Sequence, residues 1–246
     1  MGVIRPGGFE LTKEALEKAE VKKGSRILDI GCGEGDTVQF LVEEMGMDVV
    51  GIDQSRDMVK KANEKYPDLM IQFGEADFLE FSSFEFDVVL MECVLSVAYL
   101  KTEVLHEVYC VLKKGGKLII TDLYNKNPDP AAVKKAMMAV ETALKTPKEE
   151  GQCAEQVIPP EFMLDGAFIK EELIKGGIET GFTEELWEDK SDLLGSFVAE
   201  KIMNYGSMEE YFEAVVPPKE AKENFCKASE DNKDLGYFML ILGKPQ

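Results

Sequence analysis

Apolar positions in this chain alternate between two periods, short continuous runs and stripes at helical spacing. Leu11, Ala15, Leu16 and Ala19 share one face of a helix expected from Thr12 to Glu20, with Thr12 as its cap. Lys23-Gly24-Ser25 breaks it, and Arg26 to Ile30 reads as a short strand closed by glycines. Val38, Leu41, Val42 and Met45 stripe a helix from Asp36 to Met45, and Asp48 to Asp53 is the second strand. The next helix begins near Ser55 and ends before Pro67, because proline disfavours helix in the residue ahead of it. Strands at Leu69 to Phe73, Phe86 to Met91 and Lys117 to Thr121 follow, with a helix from Thr102 to Leu112 before the last. Continuous apolar strands alternating with amphipathic helices imply a parallel sheet covered on both faces.

Beyond Asp122 the regularity changes. A helix from Pro130 to Leu144 leads into a proline-bearing loop, Thr146 to Asp165, which is a candidate lid. Ile169 to Lys175 is helical and Gly176-Gly177 is expected to stop it; Phe182 to Glu188 is a strand carrying Trp187. Residues 191 to 229 show helical stripes broken at Gly206 and Pro217-Pro218, and Leu235 to Leu242 is an apolar run fit for a last, central strand. One domain over 1–246 is the expectation at this length.

The sharpest local feature is Asp29-Ile30-Gly31-Cys32-Gly33-Glu34-Gly35, set between a strand and a helix. Glycines there allow a tight turn and a close approach to a ligand that any Cβ would block. The spacing is GxGxG, where a dinucleotide fingerprint wants GxGxxG, and Glu34 would meet a pyrophosphate unfavourably. A cofactor without phosphate fits better. Asp53, at the end of the second strand, is placed to accept both ribose hydroxyls of an adenosine group.

From Arg26 to Leu123 the chain resembles the cofactor-binding half of class I S-adenosylmethionine-dependent methyltransferases. Ile27 to Gly35 matches that family's first motif, Asp53 its ribose-binding acid, Glu75-Ala76-Asp77-Phe78 its adenine-flanking segment, and Leu112 to Leu118 its turn into strand five. The resemblance implies a Rossmann-like, seven-stranded, mostly parallel α/β sheet with helices on both faces, an antiparallel last strand and a helical insertion. Residues 12–123 would form the cofactor-binding half, and 124–170 and 189–234 would cover the substrate. It also implies S-adenosylmethionine as cofactor. Asp29, Gly31, Cys32, Gly33, Gly35, Thr37 and Glu92 would surround its methionine end, and Asp53, Gln54, Ala76, Asp77 and Phe78 its adenosine.

The acceptor is expected above the end of strand four, at Met91-Glu92-Cys93-Val94-Leu95-Ser96. Glu92 could orient a protonated substrate and Cys93 could bind a soft electrophile, or Cys93 could simply pack. Tyr99 is a second candidate. Glu92-Cys93-Val94 together with Cys153 is also similar to arsenite methyltransferases, with Cys226 as a possible third ligand of trivalent arsenic. The chain departs from those enzymes in lacking a cysteine pair ahead of the glycine loop, in the sequence around Cys153, and in its long insertion before the last strand. His106 is read as a surface residue. Arg5-Pro6-Gly7-Gly8 either folds over the cofactor carboxylate or frays. Met137, Met138, Met203 and Met208 are read as core or pocket filler.

Composition narrows the partners. The chain carries 28 basic and 47 acidic residues, a net charge of −19, which repels a phosphate backbone or an anionic membrane over most of its exterior. Neither nucleic acid nor a membrane is expected as a partner. Five cysteines without a CxxC pair suggest no disulfide framework and no zinc site. No apolar run approaches the roughly 20 residues that span a bilayer, and the expectation is a cytoplasmic enzyme acting on a small molecule. A nicotinamide-dependent dehydrogenase and a non-catalytic cofactor-binding module remain as alternatives.

Overall fold

In a computed structural model, residues 5–145, 161–215 and 234–246 are described. The apolar runs become neighbouring strands: β1 (Arg26–Ile30), β2 (Asp48–Asp53), β3 (Met70–Phe73), β4 (Phe86–Glu92) and β5 (Leu112–Asn125) lie in the order β3-β2-β1-β4-β5, all parallel. β9 (Leu235–Gly243) runs antiparallel between β5 and β8 (Thr183–Asp189). Tyr237 to Leu242 are each at most 1% exposed, as a strand covered on both faces must be. The expected seven strands with an antiparallel last strand are therefore present, within a sheet of nine strands among the described residues.

Because successive side chains point to opposite faces, each strand feeds two cores. Leu28, Ile30, Val89, Met91, Leu118 and Ile120 pack under α4 (Lys101–Val111) and α6 (Lys170–Thr180). Ile27, Val88, Leu90 and Ile119 pack against α1 (Gly8–Lys18), α2 (Asp36–Glu43) and α3 (Arg56–Lys65). The insertions contribute α5 (Pro130–Lys145), a hairpin of β6 (Met163–Leu164) and β7 (Ala167–Phe168) attached to β5 at Tyr124, and α7 (Ser191–Tyr205) and α8 (Met208–Val215). Among the described residues no helix is long and apolar enough to cross a membrane.

Three local expectations are corrected. Helix α1 begins at Gly8, so Thr12 lies inside it, buried, and uses its hydroxyl in a network described below. Gly176-Gly177 do not stop α6, which runs through them to Gly181, whose left-handed φ of 116° ends it. Those glycines exist for packing, since a Cβ at 176 would strike the Phe162 ring at 2.5 Å and one at 177 would strike Leu242 Cδ1 at 2.8 Å. Strand five absorbs the expected turn at 113–116 through a register irregularity against β4. Of the expected lid, residues 146–160 lie outside the described residues, as do Cys153 and Cys226.

Candidate active site

Parallel register sets the site. Ile30 is level with Ile52 and with Met91, so the chain leaving β1 passes between Asp53 and Glu92 at the carboxyl edge of the sheet. The glycine loop is tied to β2 there, with the Gly31 and Cys32 N–H groups donating to the Ile52 carbonyl at 2.8 and 3.0 Å. Gly31 adopts φ 75°, and a Cβ on it would meet Val94 Cγ2 at 2.3 Å. Gly33, at φ 56°, differs: a Cβ there would meet nothing within 4 Å, so the missing side chain leaves open space. Asp53 turns toward that space. Its Oδ2 accepts from the Gly33 N–H at 2.9 Å and its Oδ1 from the Ser55 N–H at 2.8 Å, which orients the carboxylate and leaves lone pairs for further donors.

Beside the loop a network of four side chains closes the floor. Arg5 Nη2 lies 2.6 Å from Glu92 Oε2 and donates to Thr12 Oγ1 at 2.6 Å, while Nη1 donates to Thr37 Oγ1 at 3.1 Å. The Thr12 hydroxyl donates to Glu92 Oε1 at 2.8 Å. Burial pushes the Glu92 carboxyl above its usual range, against the pull of Arg5 and Thr12. Asp29, on β1, is 3% exposed; burial, reinforced by the charge of Glu92 and opposed by Arg5, pushes it up to about 8. Three polar atoms here are buried without a hydrogen-bond partner among the described residues: the acceptors Asp29 Oδ2 and Glu92 Oε2, the latter ion-paired with Arg5, and the donor Arg5 Nε. Orphan acceptors and an orphan donor around one buried network suit an ammonium and a carboxylate on one ligand, as in an amino acid.

On the other side of Asp53 the turn after β3 frames a small cleft of about 160 Å³ lined by Ile52, Phe73, Gly74, Glu75 and Phe78. Ala76 is half-buried, Asp77 and Gln54 are exposed, and Phe78 is 65% exposed, a large aromatic face left open at the cleft. Cys32, by contrast, is buried, and burial pushes its thiol far above the usual range. Gly35, also buried, starts α2 in the left-handed region, where a Cβ would strike Ile71 Cδ1. Both Cys32 and Gly35 shape the loop from beneath.

At the exit of β4, Cys93 holds φ 59°, unusual for a residue with a side chain and a mark of a constrained site. Its Sγ lies 3.2 Å from the Tyr237 hydroxyl, which donates to Thr121 Oγ1 at 3.1 Å. Burial pushes the thiol up to about 12, so at neutral pH it is protonated and poorly suited to bind a metalloid. Tyr99 is 52% exposed ahead of α4. His106 is on the surface, and Met203 is 85% exposed, which corrects the reading of that methionine as core.

Three charged residues that sequence reasoning passed over lie under the same loop. Asp122, within β5, accepts from the Ser96 N–H at 3.0 Å and the Leu123 N–H at 2.8 Å; burial pushes it up to about 6. Lys101 is 2% exposed, donates to the Ala98 carbonyl at 2.8 Å, and is pulled down to about 8 by burial against the charges of Glu161 and Asp122. Glu161 accepts from the Thr102 N–H at 2.8 Å and the Thr102 hydroxyl at 3.1 Å, capping α4 from a distant segment. A polar residue at the start of a helix is ordinarily solvated, so nothing local marked Lys101.

The family model described as "Methyltransferase domain" matches residues 21–201. Phosphoethanolamine N-methyltransferase 3 of Arabidopsis thaliana is 35% identical over 135 residues, 52% of this chain and 28% of that protein. An uncharacterized methyltransferase of Bacillus subtilis is 37% identical over 137 residues, 54% of this chain and 58% of that one. The matches thus span between about a quarter and three-fifths of these relatives' length. An arsenite methyltransferase of Halobacterium salinarum is 30% identical over 119 residues, 46% of this chain and 30% of that one. Among solved structures, Haemonchus contortus phosphoethanolamine N-methyltransferase 2, in complex with phosphomonomethylethanolamine and S-adenosylhomocysteine, superposes with a TM-score of 0.68 at 21% identity. That superposition covers 100% of this chain and 55% of that one.

Proposed function

Because the chain belongs to the methyltransferase-domain family, matched over residues 21–201, we propose that it binds S-adenosylmethionine at the carboxyl edge of β1, β2 and β4 and methylates a small-molecule acceptor. The observation that carries this reading is the orphan buried donor Arg5 Nε and acceptor Asp29 Oδ2 at the carboxyl edge whose glycine loop leaves open space at Gly33. They answer the ammonium and carboxylate of the cofactor's amino-acid end, and Asp53 answers its ribose. The cleft at Phe73 to Phe78 offers an apolar and aromatic wall to adenine.

When bound, the cofactor supplies an electrophilic methyl group on a sulfonium. The chain's own residues bind, orient and exclude water. Asp29 and the ion-paired Glu92 offer carboxyl oxygens to a cationic ligand, which draws the Asp29 proton off, and Thr37 and Thr12 hold Arg5 in position. In-line transfer to a positioned nucleophile draws most of its acceleration from alignment and desolvation, so no dedicated base is required. We assign the acceptor's side of that site to Cys93 and Val94, the first residues after β4, and to Tyr99 beyond them.

A net charge of −19 favours a small acceptor over a nucleic acid. The protonated, hydrogen-bonded Cys93 speaks against an acceptor held on thiolates. Release of S-adenosylhomocysteine on incubation with S-adenosylmethionine and panels of amines, phenols and thiols tests the proposal. Tight cofactor binding with no release for any panel member would instead indicate a non-catalytic module.

A further inference from the structure

A cavity of about 790 Å³ lies away from the cofactor cleft, lined by α5 and α6. That volume is within the range of roughly 300 to 1,000 Å³ typical of small-molecule sites. Its apolar lining comes from Val133, Met137 and Val140 of α5, and from Phe162 and Ile169. Its charge is one-sided: the described lining residues include five glutamates, 141, 161, 171, 172 and 179, against two lysines, 134 and 175. Lys175 is already shared between Glu172 at 4.0 Å and Glu179 at 3.9 Å.

The inner end of this cavity is wired to the β4 exit. Glu161, 3% exposed, lines the cavity and holds the first turn of α4 through Thr102. Lys101 follows in sequence before Thr102 and holds the Ala98 carbonyl, and Asp122 holds the Ser96 N–H three residues beyond Cys93. A ligand settled against Glu161 therefore acts on the same short loop that borders the candidate methyl-transfer position.

We infer that this cavity binds an organic cation with an apolar body, the aliphatic part lying on the α5 face and the ammonium meeting the glutamate excess. Resting on the methyl-transfer reading, the cation is the non-reacting end of the acceptor. An apolar anion is rejected by the same glutamates.

Calorimetric titration of the full chain with n-octylamine, n-octanol and octanoate tests the inference, with S-adenosylhomocysteine titrated in parallel. Octylamine is expected to bind one site at least about tenfold more tightly than octanol, a difference of about 1.4 kcal/mol, with octanoate weakest. Met137→Trp, which fills the cavity from a half-buried helix position, should weaken octylamine about tenfold or more, and Glu161→Gln should shrink its advantage over octanol. Met137→Trp should keep S-adenosylhomocysteine affinity within about twofold. Equal binding of amine and alcohol, or octylamine binding untouched by Met137→Trp, overturns the inference. Amine binding in a chain that does not bind S-adenosylhomocysteine would overturn the methyl-transfer reading alone, leaving the cation site standing without its role as acceptor.

Discussion

Arg5 Nη2 lies 2.6 Å from Glu92 Oε2, joining the N-terminal segment to the last residue of β4, and both side chains are at most 9% exposed. A buried pair is costly to break on one side only, by about 3 to 5 kcal/mol where the survivor keeps its charge. Arg5→Ala is therefore expected to lower the melting temperature clearly, while Arg5→Ala combined with Glu92→Gln recovers a large part of the loss. A double-mutant cycle by thermal denaturation measures it; purely additive losses would show that the pair is not coupled.

Asp29 gives the protein a pH signature. Its folded carboxyl is held near 8 against an ordinary value of 3.8, so between those limits the folded chain carries a proton that the unfolded chain has lost. Stability contributed by this group is full below about pH 4 and declines as pH rises toward 8. An ammonium placed against Asp29 Oδ2 favours the ionised form, so cofactor binding at pH 7 should release a proton. Calorimetry in two buffers of different ionisation enthalpy reads that release, and Asp29→Asn should abolish it.

Two glycines of the loop should fail differently. A Cβ at Gly31 collides with Val94 Cγ2, so Gly31→Ala should cost stability, about 1 to 3 kcal/mol. Gly33→Ala meets no protein atom and carries only the left-handed backbone cost of about 1 to 2 kcal/mol. Its Cβ enters the ligand's space instead. Gly33→Ala is expected to weaken S-adenosylhomocysteine at least about tenfold in a protein that remains folded by circular dichroism.

Much of this frame was legible in the chain because it is local. The apolar runs of β1, β2 and β4, the glycine spacing and the acid ending β2 each announce themselves within a few residues. Helix α6 was misread because Gly176 and Gly177 serve contacts with Phe162 and Leu242, residues far away in sequence. Thr12 was misread for a similar reason: its partners are Arg5 and Glu92, the latter 80 positions on. The Lys101, Asp122 and Glu161 group was invisible, since no local pattern distinguishes a buried charge from a solvated one. The hairpin at 163–168 is too short to show any period.

Cys93 and Cys110 separate a half-buried, hydrogen-bonded thiol from an exposed one. With its thiol pushed up to about 12 and hydrogen-bonded to Tyr237, Cys93 should resist iodoacetamide at pH 7.5, whereas the exposed Cys110 reacts. Peptide mapping after timed alkylation checks the order. Rapid modification of Cys93, together with methyl transfer stimulated by arsenite, would revive the metalloid acceptor.

Cofactor recognition in this reading depends most on Asp29 and Arg5 holding an amino-acid end next to an adenosine. Titration of the wild type, Asp29→Asn and Arg5→Ala with S-adenosylhomocysteine and with methylthioadenosine, which lacks that end, addresses this directly, with NAD as a control. Tight S-adenosylhomocysteine binding is expected in the wild type, weakened at least about tenfold by either substitution, with methylthioadenosine affinity nearly unchanged and NAD not bound. NAD binding without S-adenosylhomocysteine binding, or equal losses for both nucleosides in the two variants, would contradict it.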